Sequence, residues 1–308
     1  MVHKTEAVER LAIFNAITAI TGSAGRYTVP DLVAVEIAEA LKSYSCVRQV
    51  ATVINTPTGA PMVWPNSDGT SEVGELLSES AWASTANEII IGGAPLNVFK
   101  FGSKKISVSI ELMQDSAADP LGFLLKRIGA RLGRITNRKF TIGTGIGEPL
   151  GIVNAAGIGK YSPSGQTVTV TPDDLADLIA SVDEVHRQSP NCVFMMSNNT
   201  LQAIRRLTDS AGQPLNLVSV GQDGKERLEG FRVVTNPDMP QLGAGKTPIA
   251  FGDFATFVVR DVKMEGVVRM TDSGPTLNGQ EWFLGVARSG GAYTDAGGAI
   301  RLFKNAAV

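Results

Sequence analysis

Two cysteines, Cys46 and Cys192, and two histidines, His3 and His186, are all that this chain of 308 residues holds of the softer metal ligands. No CxxC pair or zinc spacing occurs, so the cysteines read as two buried, reduced thiols rather than a disulfide framework or a metal centre. No stretch approaches the roughly 18 uninterrupted apolar residues of a transmembrane helix. Met1-Val2-His3-Lys4 is not followed by a signal-peptide core, so a chain made in the cytoplasm is expected. Charge is sparse as well, at 19% of residues, with 30 acidic groups against 28 basic ones. That near balance excludes a globally basic nucleic-acid binder and a highly charged disordered chain. Glycine, in contrast, is abundant at 33 residues. A chain poor in charge and rich in glycine often carries surfaces that something else covers. Its length suits two domain-sized units or one large one, with core enough to need no covalent staple.

Residues 1–26 read as an arm. Glu6 to Ile20 is mildly helical, with Val8, Leu11, Ala12, Asn15 and Ala19 at helical spacing, and it ends in the flexible Thr21-Gly22-Ser23-Ala24-Gly25. A segment this short cannot hold itself folded and must dock on its own body or on another chain. Val29-Pro30-Asp31 opens a helix running to about Ser43, and Val47 to Thr56 reads as a strand. From there the composition turns acidic. Residues 49–99 contain no lysine or arginine but carry Asp68, Glu72, Glu75, Glu79 and Glu88, a net of −5. Pro57, Pro61, Pro65, the Asp68-Gly69 turn signal and strand-like Trp82 to Ile91 imply a long two-stranded excursion. Excursions of this length are unusual in a compact domain and usually functional.

The next block reverses the sign. Residues 100–140 hold nine basic groups against Glu111, Asp115 and Asp119, a net of +6. Ile106, Val108 and Ile110 alternate as a strand, and Asp119-Pro120 then starts a long helix to about Phe140, with Leu121, Leu125, Ile128, Leu132 and Ile135 as its apolar stripe. Arg127, Arg131, Arg134 and Arg138 follow one another at steps of four, three and four, so they share a second face. Such a run reads either as a solvated basic face or as a surface that meets acidic groups on a partner.

Gly143 to Ile152 is a glycine-rich turn, and Thr167 to Val170 a short strand. Thr171-Pro172-Asp173-Asp174 is a strong helix start, followed by the buried stripe Leu175, Leu178, Ile179, Val182 and Val185. Val193 to Met196 is apolar, and Asn198 or Asn199 caps a helix through Leu207. From Leu228 the chain reads as short strands: Phe231 to Thr235, Thr247 to Phe251, Thr256 to Arg260, Gly266 to Met270, Trp282 to Arg288 and Ala299 to Phe303.

Motifs that would carry chemistry fail on inspection. Gly245-Lys246-Thr247 imitates the end of a phosphate loop, but Pro240 stands where the loop's first glycine belongs and Pro248 blocks the helix that would follow. Gly143, Gly145 and Gly147 do not have dinucleotide-loop spacing, and Glu148 would repel a pyrophosphate; a tight turn is the better reading. Neither histidine sits near a nucleophile signature. Asn198-Asn199-Thr200 fits a glycosylation sequon but serves as a helix cap, and Met195-Met196 is core. No catalytic group, cofactor or metal site is expected. A soluble α+β chain with an arm, a long loop and no visible chemistry favours an interlocking assembly protein over an enzyme.

The order of segments resembles the major capsid proteins of tailed bacteriophages, which share the Hong Kong 97 capsid fold. Tyr27-Thr-Val-Pro-Asp31 is similar to the family's passage from arm to first helix, and Val108 to Ser116 to the strand before its spine helix. Phe140 to Ile152 resembles the turn after that helix; Met196 to Thr200 and Leu207 to Leu215 resemble the helix and loop of its axial domain. Leu228 to Val234 and Ile249-Ala-Phe-Gly-Asp-Phe254 resemble two of its strands. The likeness spans about residues 27–304.

The resemblance implies an α+β fold mapped as N-terminal arm 1–26, peripheral domain 27–60, extended loop 61–98, peripheral domain with spine helix 99–165, axial domain 166–285, and a return to the peripheral domain over 286–308. It implies a virion shell subunit, assembled in the bacterial cytoplasm into hexamers and pentamers that enclose double-stranded DNA. The implied partners are copies of itself, a scaffolding protein, a portal, non-specifically bound DNA and a decoration protein, with no membrane. The alternatives are an encapsulin-like compartment around cargo protein and an enzyme whose site is unrecognised. In the family the extended loop lies across a neighbour, so Glu72, Glu75 and Glu79 are expected to meet Arg127, Arg131, Arg134 or Arg138 of another copy; packaged DNA is the other candidate for the arginine face. Some relatives weld their shells by an isopeptide bond from a loop lysine to an asparagine; this loop has no lysine, so no such weld is expected. Many relatives also carry an N-terminal scaffolding segment, where this chain has a short arm. Either that segment was removed or the scaffold is a separate protein, and Met1 favours the second or a start at the mature end.

Overall fold

A computed structural model describes residues 39, 41, 43–66, 92–115, 120–209, 211–270, 278–295 and 298–308. The arm, most of the first helix, Asp119, and the tip of the excursion with Glu72, Glu75, Glu79 and the expected strand from Trp82 to Ile91 lie outside them.

Two sheets and one long helix organise the chain. The first sheet is centred on a hairpin of two strands of 14 residues each, β12 (Phe257–Met270) and β13 (Gln280–Tyr293). β1 (Thr52–Thr56) runs parallel to β12 on one side, while β4 (Phe99–Gly102) and β5 (Ile106–Ser109) pair antiparallel with β13 on the other. Two of the short strands expected from sequence, Thr256 to Arg260 and Gly266 to Met270, therefore fuse into β12 across an irregularity between Val262 and Gly266, and a third, Trp282 to Arg288, lengthens into β13. The second sheet has seven strands, ordered β6 (Gly157–Tyr161), β14 (Ile300–Lys304), β11 (Ile249–Asp253), β7 (Cys192–Met196), β10 (Phe231–Thr235), β9 (Glu226–Leu228) and β8 (Val218–Val220). β2 (Val63–Asn66) and β3 (Gly92–Pro95) form a separate two-stranded ribbon, the base of the excursion.

Several expectations are corrected. The strand expected from Val47 begins at Thr52; Val47–Gln49 is a single 3-10 turn that lets Val47 and Val50 both point into the core. Ile110 opens a short helix, α1 (Ile110–Asp115), instead of ending β5. Thr167 to Val170 alternates like a strand but finds no partner ladder, and Val168 is exposed.

The helix expected from Pro120 is present as α2 (Pro120–Ile142). Its stripe of Leu121, Leu125, Ile128 and Leu132 is buried with Phe101, Phe283 and Ala287 of the first sheet, and Ile135 packs at the edge of that cluster. At its far end Phe140 meets Phe257 edge-on, at 6.1 Å between centroids, in the cluster that joins both sheets through Val193, Met195, Ala250 and Val259. Beyond α2 come α3 (Ile152–Ala155), α4 (Pro172–Ala180), α5 (Glu184–Arg187) and α6 (Asn198–Arg205). Thr171 and Asp174 close a reciprocal capping box at the start of α4, as their spacing implies. Leu175, Leu178 and Val182 are buried, but Val185 is 76% exposed, because the chain turns at Ser181 and α5 is a separate turn of helix. Ser197, not Asn198 or Asn199, caps α6, its hydroxyl accepting from the Thr200 amide; helical geometry ends at Arg205.

One glycine shows how tightly the first sheet is built. A Cβ on Gly290 would lie 1.8 Å from the carbonyl oxygen of Asn97, backbone against backbone. Gly290→Ala is expected to lose roughly 2 kcal/mol in urea unfolding, because neither β13 nor the backbone linking β3 to β4 can give way cheaply; wild-type stability in the variant would contradict this packing.

Candidate assembly surface

From Pro120 to Ile142 the long helix contains no acid and six bases, Lys126, Arg127, Arg131, Arg134, Arg138 and Lys139. The four arginines picked out by their spacing are all exposed on one face. Arg127 lies over the ring of Phe123 at 5.8 Å, and Phe123 is itself 67% exposed. Arg131 donates to the Ser103 carbonyl at 3.3 Å, and Arg134 lies over Tyr44 at 5.7 Å. None of the four forms an ion pair among the described residues; of the helix's bases only Lys139 does, with Glu148. Like charges three and four residues apart on a helix repel by a few tenths of a kcal/mol per pair. The face is thus held in mild electrostatic tension that an external anion relieves, and its arginine and aromatic content is what interface centres select.

The glycine turn after the helix is rigid. The Glu148 carboxylate accepts from the Thr144 amide at 2.9 Å and its hydroxyl at 3.1 Å while pairing with Lys139. Gly145 and Gly147 take positive φ, 82° and 69°. Asn154 donates to the Gly143 carbonyl at 2.9 Å, which closes the helix end. The Lys139 ammonium and then the Thr144 amide hold Glu148 below the usual carboxylate range. A depressed acid stabilises above its unfolded value and loses that effect as pH falls through the folded one. NMR titration should therefore place Glu148 below a model glutamate, with the turn loosening only in acid; an ordinary midpoint would contradict the clamp.

Two buried arginines, neither singled out in the sequence, tie the excursion's base and the 3-10 turn to β12. Arg260 on β12 is 3% exposed. Its guanidinium donates to the carbonyls of Ala60 (2.8 Å), Thr58 (3.0 Å) and Leu96 (3.1 Å) and to the Thr56 hydroxyl (3.1 Å). Both arms of the excursion are thereby tied to one side chain. Next along the strand and on the opposite face, Asp261 pairs with buried Arg48, and Ser289 bridges them at 3.1 Å to Arg48 and 2.6 Å to Asp261. Arg48 also lies 5.5 Å over the Phe140 ring, which links the 3-10 turn, β12 and the long helix. Asn137 completes the junction. Its amide accepts from the Val47 amide (3.2 Å) and the Ser45 hydroxyl (3.3 Å), and donates to Asn236 (2.9 Å) and Asp238 (2.6 Å) beyond the second sheet.

Groups that could hold a ligand are engaged otherwise. The Gly245 amide donates to the Ala306 carbonyl and the Lys246 amide to Gly243, so that segment offers no phosphate cradle. Burial pushes the Cys192 thiol up to about 12, and Cys46 is raised by burial and by Asp238. Among the described residues no cluster of metal-ligating side chains occurs, and no helix is long and apolar enough to cross a membrane.

Comparison with known proteins gives one consistent answer. The phage capsid family matches residues 25–304. The capsid of a native GTA particle is similar at 25% identity, with a TM-score of 0.71 over 85% of this chain and 91% of that one. The chain of Mycobacterium phage Bobi shares 16% identity and a TM-score of 0.59 over 85% and 90%. The holo-SrpI encapsulin complex from Synechococcus elongatus PCC 7942 shares the fold at 11% identity, with a TM-score of 0.59 over 83% and 85%. No curated protein matches the chain.

Proposed function

The chain belongs to the phage capsid family, a structural shell protein, and on that premise we propose that it assembles into the hexamers and pentamers of an icosahedral virion that encloses double-stranded DNA. The single observation that carries the assembly mechanism is the exposed arginine face of the long helix, which has no counter-ion among the described residues. The acidic excursion supplies one. Glu72, Glu75 and Glu79 of one copy meet Arg127, Arg131, Arg134 and Arg138 of the next, and the loop reaches its neighbour from the base that Arg260 fixes. The arm of residues 1–26 and the loop of 61–98 reach neighbours, and the sheet built on the β12–β13 hairpin with the long helix, and the seven-stranded sheet, are the two parts of the body. A scaffolding protein, a portal, a decoration protein and loosely held DNA are the remaining partners, and assembly takes place in the host cytoplasm before the virion is released.

Light scattering across a concentration series tests this reading. Growth from subunits or capsomers to closed particles that protect double-stranded DNA from nuclease supports it. Particles filled with protein would point to an encapsulin-like compartment, and a small oligomer of fixed size at every concentration would contradict a shell. Because residues 49–99 hold no lysine, shells boiled in detergent should run as monomer bands. Ladders would overturn the absence of a covalent weld.

A further inference from the structure

Open strand edges invite pairing with other chains, and proteins blunt them with lysine, proline, bulges or brevity. This chain does so at most of the other open edges among its described strands. On the far side of the first sheet, β4 carries Lys100, and Lys104 and Lys105 join it to β5. The ribbon carries Pro65 in β2 and Pro95 in β3. In the second sheet β6 carries Lys160, and β8 is only three residues long.

β1 is the longest edge strand that carries none of these guards. Its sequence is Thr52-Val53-Ile54-Asn55-Thr56, five residues with no charge, no proline and four β-branched side chains. Its register with β12 is unbroken, and it has no second ladder among the described residues. Thr52, Val53 and Asn55 are exposed. No lysine or arginine follows anywhere in residues 49–99. β1 also adjoins the base of the excursion, since Ile54, Met62 and Trp64 all pack against the cluster of Leu96, Val258 and Ala292.

We infer that the open edge of β1 is a strand-addition site, and that its occupant is an extended segment of a second copy of this chain. Main-chain hydrogen bonds would supply the affinity, and the alternating side chains Val53 and Asn55 the register. A second copy is the occupant the observations favour. The chain belongs to the phage capsid family, the edge is continuous with the loop base proposed to reach a neighbour, and an unguarded edge pairs with other chains at random unless assembly uses it. The inference rests on the shell reading above and adds to it a backbone contact independent of the arginine face.

Hydrogen–deuterium exchange on unassembled chain and on intact shells tests it. The outward amides of residues 52–56 should exchange freely in the unassembled chain and on the order of 100-fold more slowly in shells. Shells whose 52–56 amides exchange as in the free chain would overturn the inference and leave the shell reading standing. Failure to form shells at any concentration would overturn the shell reading, and this inference with it. Val53→Lys gives a second readout by adding the missing guard. It should melt as wild type does yet need a higher concentration to assemble, whereas Val185→Lys, on an exposed turn far along the chain, should assemble normally. Wild-type assembly of Val53→Lys would contradict the site.

Discussion

Replacing Arg127, Arg131, Arg134 and Arg138 together by glutamate is expected to leave a folded chain that does not assemble at wild-type concentrations. The fold should survive because all four side chains are exposed and none is ion-paired within the described chain. What the body loses is the bond from Arg131 to Ser103 and two contacts with exposed rings, worth roughly 0.5–1 kcal/mol each at such sites. Assembly should not survive. Exposed ion pairs contribute about 0.2–1 kcal/mol each, and reversal turns attraction into repulsion at every copy of the contact. The threshold concentration should rise at least on the order of 100-fold. A second variant, with Glu72, Glu75 and Glu79 changed to lysine, should fail in the same way, and mixing both reversals in one chain should restore part of the assembly. Recovery is the informative outcome, since loss of assembly alone could come from any damaged surface. Raising salt should weaken wild-type assembly in the same direction, because exposed pairs are screened. Retained assembly by the arginine reversal, with DNA retention lost, would instead assign the face to packaged DNA.

Arg260→Met is expected to destabilise the unassembled chain. It removes four hydrogen bonds from a group that is 3% exposed and leaves the carbonyls of Thr58, Ala60 and Leu96 without that donor. A buried polar group left unpaired costs about 1–3 kcal/mol; the Leu96 carbonyl is buried while Thr58 and Ala60 are exposed residues that water reaches, so a total of roughly 2–3 kcal/mol is expected. For a chain of this size that corresponds to a melting temperature lower by roughly 5 °C. Methionine keeps much of the packing volume, so the loss measures the hydrogen bonds rather than a cavity. The variant should also assemble poorly, because both arms of the excursion lose their common anchor. A melting temperature within about 2 °C of wild type would show that solvent or another donor satisfies those carbonyls.

The contrast between these two predictions marks what the sequence discloses. The arginine face is legible because helical spacing is local: four residues at steps of four, three and four declare a shared face once the helix is known, and Pro120 with the leucine stripe declares the helix. The Thr171 capping box and the glycine turn closed by Glu148 are equally local, with partners three and four residues apart. Arg260 and the Arg48–Asp261 pair are not legible for the opposite reason. Their partners lie 164 to 213 residues away, and nothing in the neighbouring sequence tells a buried arginine from an exposed one. The same limit explains the strands. Asp261 to Glu265 reads as a polar interruption, yet the ladder to β13 resumes beyond its irregularity and one strand spans Phe257–Met270. Thr167 to Val170 has the alternation of a strand and no neighbour to pair with. Ser197 capped α6 where two adjacent asparagines offered themselves, a choice set by where the buried strand β7 ends.

Reconstruction of assembled particles by cryo-electron microscopy, at a resolution that shows side chains, tests the account most directly. The expected result is closed shells with rings of five and six subunits, in which the excursion of one copy crosses its neighbour and brings Glu72, Glu75 and Glu79 within ion-pair distance of the arginine face. Open or irregular aggregates, or closed shells in which Arg127, Arg131, Arg134 and Arg138 face the interior and no neighbouring carboxylate, would contradict it.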